Sequence, residues 1–221
     1  MPSRIVRQDV PEEKTQTAPR EGAPGPFGPF VLTRRIAIGG AAEVFLARPR
    51  QGVKPAPELV IKRLARSRGK PTNFDVLDRE AELLRAVRHP NVVTVFGAGM
   101  VGDEPYLAME YVPGVDLHRL LRLAASENKL LSHDVAAYVA RSVAEALHAV
   151  HTARDGRGTP LHITHGDVSP SNIYLSITGD VKLGDFGIAR AAGKDAELRS
   201  SPGGGNLEGK LGYLAPERLK G

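Results

Sequence analysis

Short β-branched runs separated by turn residues predict strands at about 30–37, 43–48 and 58–64, the first two joined through Gly39-Gly40. Phe74, Leu77, Ala81, Leu84 and Val87 then recur at three- and four-residue intervals, which predicts a helix over 72–88 ending before His89-Pro90. Two more strands are expected near 92–100 and 105–112. Beyond them the pattern turns helical. Leu117, Leu120 and Leu121 mark a short helix, and Val135, Val139, Val143, Ala146, Leu147 and Val150 mark a longer one that starts at the cap Ser132. Past Pro160 short strands and glycine-rich loops return, and residues 173–183 read as a hairpin turning at Thr178-Gly179-Asp180.

This order predicts an α+β fold of two lobes with a cleft between them. A five-stranded antiparallel sheet with one helix comes first, followed by a mainly helical lobe. Residues 1–28 are rich in Pro, Gly, Glu, Lys and Arg and lack the apolar segment of a secretory signal, so they read as a disordered leader.

Composition narrows the function classes only slightly. Of 221 residues, 41% are hydrophobic and 25% charged, as in an ordinary globular protein, and no apolar run approaches the ~20 residues that span a bilayer. The net charge is +5, but basic residues are interleaved with acidic ones: Lys62 to Lys70 is followed by Asp75, Asp78, Glu80 and Glu82. That pattern describes a solvated mixed surface, and no nucleic-acid partner is expected. The absence of cysteine excludes disulfides, thiolate catalysis and cysteine-ligated zinc, and is compatible with a cytoplasmic location.

The candidate chemistry is distributed along the whole chain. Ile36 to Val44, with Ile38, Gly39 and Gly40 at its centre, lies between two predicted strands, where small residues let backbone N–H groups approach phosphate oxygens. A plain hairpin turn would read the same way. Lys62 alternates with apolar neighbours on a strand. Glu80, on the following helix, is the expected carboxylate that keeps this lysine charged and oriented, with Glu82 as its local competitor. Three spaced motifs follow: His165-Gly166-Asp167-Val168-Ser169-Pro170-Ser171-Asn172, Leu183-Gly184-Asp185-Phe186-Gly187 and Ala215-Pro216-Glu217. Phosphoryl transfer needs a carboxylate near the attacking hydroxyl and oxygen ligands that hold Mg²⁺ across the phosphates. Asp167 fits the first role; Asn172 and Asp185 fit the second.

Over about residues 30–221 the chain resembles protein kinases of the bacterial serine/threonine type. The resemblance implies a kinase domain over 29–221, with an N-terminal lobe at about 29–110 and a partial C-terminal lobe at about 113–221. It implies ATP and Mg²⁺ as cofactors and protein serine or threonine hydroxyls as acceptors, in a signalling role. It makes Met109 the gatekeeper and Glu110-Tyr111-Val112 the adenine-binding hinge, puts Val44, Val60 and Tyr174 around the adenine, and stacks Leu84, Val95, His165 and Phe186 as the regulatory spine.

The chain also departs from the family pattern. Ala37 and Ala42 replace two of the three loop glycines, and Gly166 replaces the arginine that normally pairs with an activation-segment phosphate. Ser169 stands in the place of the catalytic-loop lysine and Lys210 in that of a threonine; the expectation is that Lys210 reaches back toward Asp167 and Ser169 supplies a hydroxyl. Residues 154–160 read as a surface insertion. Further helices are expected after Gly221, so the domain reads as C-terminally truncated. Val139, Val143 and Leu147 would then expose an apolar face open to a partner. A catalytically inactive nucleotide-binding or interaction module is the alternative function. A small-molecule phosphotransferase shares the His-Gly-Asp wording but lacks the Asp-Phe-Gly and Ala-Pro-Glu motifs.

Overall fold

The computed structural model describes residues 24–38, 42–52, 56–64, 74–186 and 212–213, without the side chains of Val76 and Glu80. Strands β1 (Gly25–Phe27), β2 (Phe30–Ile38), β3 (Ala42–Pro49) and β4 (Leu59–Leu64) precede helix α1 (Phe74–Ala86). Then come β5 (Val95–Val101), β6 (Glu104–Glu110), β7 (Gly114–Asp116), α2 (Leu117–Ser126), α3 (His133–His151), β8 (Ile173–Ser176) and β9 (Val181–Leu183). The first six strands form one sheet in the order β1-β2-β3-β4-β6-β5, antiparallel throughout.

Strand periodicity sorts this sheet into two faces. Phe45, Ala47, Leu59, Ile61, Tyr106 and Ala108 build the outer cluster together with Phe27 and Leu32. Val60, Leu64, Leu107 and Met109 point the other way, into a larger cluster with Leu77, Ala81 and Leu84 of α1. Lys62 falls between Val60 and Leu64, so its side chain belongs to that inner face, paired across the ladder with Val44 and Leu107.

The sheet has six strands where five were expected. Gly25–Phe27, read from composition as the end of a disordered leader, pair with Phe30–Leu32. The physical reason is aromatic. Phe27 and Phe30 meet the Tyr106 ring edge-on at 5.6 and 5.5 Å, and the Arg63 guanidinium lies 5.2 Å from the Phe27 ring centre, closing the outer cluster. Residues 1–23 lie outside the described residues.

The lower half is not purely helical, because β7, β8 and β9 form a second sheet in that order. The β8–β9 hairpin turns where predicted, while β7 was not anticipated from its three-residue pattern. Helix α2 starts at Asp116, whose carboxylate accepts the Arg119 N–H, and α3 starts at Ser132, whose hydroxyl accepts the Val135 N–H. Helix α3 buries Val139, Ser142, Ala146 and Val150 and packs against β9. Val139 is therefore not part of an exposed face, and Val143 and Leu147 are partly buried against the core. The exposed large apolar side chains of α3 are Val135 and Tyr138. The register of the helix on β9, rather than its sequence stripe, decides which residues face out. Arg154 and Pro160 bridge the base of the predicted insertion; within it Asp155 accepts N–H bonds from Arg157 and Thr159, which hold its carboxyl below the usual range.

The two halves are stitched together beside β9. Leu183 donates its N–H to Asn91 O at 2.8 Å and accepts the Val93 N–H at 2.9 Å, and the Asn91 carboxamide donates to Val181 O at 2.8 Å. Among the described residues no helix is long and apolar enough to cross a membrane.

Candidate active site

Lys62 and Asp185, 123 positions apart, meet where the inner face of the large sheet approaches the end of β9. The Lys62 ammonium lies 2.5 Å from Asp185 Oδ1, with both side chains about three-quarters buried or more. The carboxylate's other oxygen, Oδ2, accepts the Tyr174 hydroxyl at 2.9 Å. Asp185 adopts φ 55, a left-handed conformation that aspartate tolerates better than most side chains. Burial, and then the adjoining Asp185 carboxylate, push the Tyr174 hydroxyl far above the usual phenol range. It therefore remains an O–H donor at any working pH.

The catalytic loop is built by polar side chains that hold backbone. His165 accepts the Asp167 N–H on Nδ1 at 3.2 Å, which requires that nitrogen to be unprotonated, so Nε2 carries the proton and donates to Gly184 O at 2.9 Å. Its ring also stacks at 4.5 Å on Phe186. Asn172 donates its amide to Asp167 twice, to the backbone oxygen at 2.6 Å and to Oδ2 at 3.1 Å. One histidine thus ties the loop to the segment carrying Asp185, and one asparagine fixes the Asp167 carboxylate. Gly166, where the resemblance predicted arginine, takes φ 73, a conformation glycine reaches without a Cβ penalty.

The remaining predicted residues are placed as follows. Met109 pairs with Val60 across the ladder, and both are buried on the inner face, with Val44 and Val112 packed against the same core. Lys62, Leu77, Met109, Asp185 and Phe186 line a cavity of about 20 Å³, room for about one water. Val44, Val60 and Tyr174, expected around the adenine, do not line it. Leu84, Val95 and Phe186 share one buried cluster, and His165 contacts it through Phe186. Ile38, at the end of β2, is exposed. Glu82 is exposed on α1. The side chain of Glu80, Gly39, Gly40, Lys210, Gly187 and the Ala215-Pro216-Glu217 motif lie outside the described residues. Ser169 is buried, and its hydroxyl lies 3.0 Å from Ser171 Oγ.

Two features were not anticipated from the sequence. Glu110, expected only as part of the hinge, pairs with Lys182 of β9 at 3.0 Å and accepts the Thr94 N–H at 3.0 Å. Lys182 sits between apolar Val181 and Leu183, the same alternation that drew attention to Lys62, and that signal was available. The Tyr174 contact with Asp185 was not legible, because it depends on which way a half-buried ring leans.

A magnesium ion fits the residues present. Asn172 is buried, its NH₂ is taken by Asp167, and its Oδ1 accepts no hydrogen bond among the described residues. A buried amide oxygen without a donor, beside a carboxylate, is a hard-oxygen set of the kind Mg²⁺ takes together with phosphates and water. Among the described residues no group of three or more His, Cys, Asp or Glu is arranged to hold a metal.

The family described as "Protein kinase domain" matches residues 30–221. The chain belongs to that family. This kinase domain is 37% identical over 197 residues to the tyrosine-protein kinase MasK of Myxococcus xanthus, an alignment covering 89% of the chain and 30% of MasK. It is 34% identical to the probable serine/threonine-protein kinase PknB of Corynebacterium glutamicum, covering 87% of the chain and 28% of that protein. Among solved structures it resembles the PknI kinase domain of Mycobacterium tuberculosis, with a TM-score of 0.59 and 27% identity over 75% of the chain and 63% of that domain. The chain thus spans about a third or less of the length of these curated relatives.

Proposed function

We propose that this kinase domain transfers the γ-phosphoryl group of ATP to serine or threonine hydroxyls of proteins. The observation that carries the reading is the convergence of Lys62 on Asp185, flanked by the Asp167–Asn172 pair. In the reaction Asp167 orients the acceptor hydroxyl and receives its proton as the new oxygen–phosphorus bond forms. The bond from the γ-phosphorus to its bridging oxygen breaks, and ADP leaves with that oxygen. Lys62 holds phosphate oxygens, with Glu80 as its proposed carboxylate partner and the segment around Ile38, Gly39 and Gly40 covering them. Asn172 and Asp185 supply oxygen ligands to magnesium, which when bound neutralises phosphate charge. Met109, Glu110 and Val112 border the base from the hinge side, with Val44, Val60 and Tyr174 around it, and Lys210 adds positive charge near Asp167.

Acceptor class is the finer part of this reading. MasK is named a tyrosine kinase and PknB a probable serine/threonine kinase, and the serine/threonine assignment rests only on the overall resemblance to bacterial serine/threonine kinases. A second reading, a nucleotide-binding module without transfer, is favoured by one observation: Ser169, where the family pattern has lysine, shares a hydrogen bond with Ser171 of its own loop. Incubation with Mg²⁺, γ-labelled ATP and a basic protein substrate separates the two. Label on phosphoserine or phosphothreonine that vanishes in Asp185→Ala supports the kinase. Label on tyrosine overturns the acceptor class, and nucleotide binding without label supports the module.

A further inference from the structure

Tyr174 stands one residue after the buried loop terminus Ile173 and two positions past Asn172, on a strand whose neighbour β9 leads directly into Gly184-Asp185. The register sets Tyr174 opposite Lys182, so its ring is carried toward the backbone that follows β9. That ring needs space, and Gly184 provides it. A Cβ built on Gly184 would lie 2.8 Å from Val93 Cγ2 and 3.1 Å from Tyr174 Cε2. Gly184 has no left-handed φ, so its glycine is explained by this close approach rather than by backbone conformation. Across the gap the hydroxyl reaches Asp185 Oδ2 at 2.9 Å, while Lys62 holds Oδ1.

We propose that Tyr174 is a positioning residue for magnesium: its hydroxyl fixes the Asp185 carboxylate so that the face held by Lys62 is presented to the metal. The inference rests on the kinase reading. A carboxylate that binds a metal through one oxygen is oriented by a donor on the other, and loss of such a donor typically weakens metal binding by about 10–100-fold. A neutral O–H suits that place, because it holds the oxygen without adding positive charge beside a cation. Lys62, a mobile point charge, can turn to phosphate oxygens when nucleotide arrives, whereas the tyrosine ring, packed close beside Gly184, keeps its hydroxyl where it is.

The test measures binding of a fluorescent ADP as Mg²⁺ is titrated, on wild type, Tyr174→Phe and Gly184→Ala, with a thermal melt of each. Phenylalanine keeps the ring and removes only the donor. The expected result is a Mg²⁺ requirement raised about tenfold in Tyr174→Phe, with the melting point unchanged. Gly184→Ala, which displaces the ring, should raise the requirement in the same direction. An unchanged Mg²⁺ requirement in Tyr174→Phe overturns the inference and leaves the kinase reading standing. So does a lowered one, which would mark the hydroxyl as a competitor of the metal. Failure of wild type itself to bind ADP with Mg²⁺ overturns the kinase reading, and the inference with it.

Discussion

The six-stranded sheet and the catalytic loop with its hairpin are both well packed, but different forces hold them. In the sheet Phe45 and Ile61 are fully buried among apolar neighbours, and hydrogen bonding is carried by the strand ladders. Around the loop the buried groups include His165, Ser169 and Asn172, and specific side chains bind specific backbone atoms. Apolar packing tolerates approximate geometry, whereas a buried polar group is costly unless its one partner is in place. The sheet thus supplies stability and a platform for Lys62, while the loop spends polar groups to fix the position of Asp167 and Asp185.

That contrast can be broken by changes on either side. The largest effect is expected from Asp167→Asn, which removes the proposed proton acceptor. Phosphoryl transfer should fall by about 10²–10⁴-fold in a steady-state assay, while the urea unfolding midpoint stays near that of wild type. A matching loss of stability would show that the loop is structural rather than catalytic. Next comes Phe45→Ala, expected to cost about 3–5 kcal/mol in denaturant unfolding, a large share of the ~5–15 kcal/mol that domains possess. The remaining folded molecules should keep the wild-type dependence on nucleotide concentration. The smallest effect is expected from Lys182→Met, which cuts the Glu110 pair that joins hinge and hairpin. With both partners partly exposed, the stability loss should be about 1 kcal/mol or less, accompanied by a modest rise in KM for ATP at unchanged kcat. Because that pair crosses between the two regions, a change in only one of the two readings would place it wholly in that region.

Much of this molecule could be read from its residues, and the parts that could not share a cause. Strand and helix positions follow from apolar spacing: Phe74, Leu77, Ala81 and Leu84 mark α1, and Ser132 marks the start of α3. Asp167 and Asn172, proposed together because phosphoryl transfer limits which residue types can serve at that spacing, do meet, as Asp185 meets Lys62. Gly25–Phe27 could not be read in this way, since the strand exists only because Phe27 finds Tyr106 and Arg63 from distant strands. Val139 was misjudged for a similar reason: its helix offers several apolar residues, and contact with β9 selects among them.

The sequence by itself determined most of the order of elements, β1 and β7 excepted, together with the chemistry available and the family, because those depend on residue type and local spacing. Tertiary structure alone decided that Lys62 meets Asp185, that Glu110 meets Lys182, and that Tyr174 donates to the second carboxylate oxygen. Each of these depends on where separate segments of the chain come to rest, and on which way a side chain leans once they do. Local spacing carries no record of either.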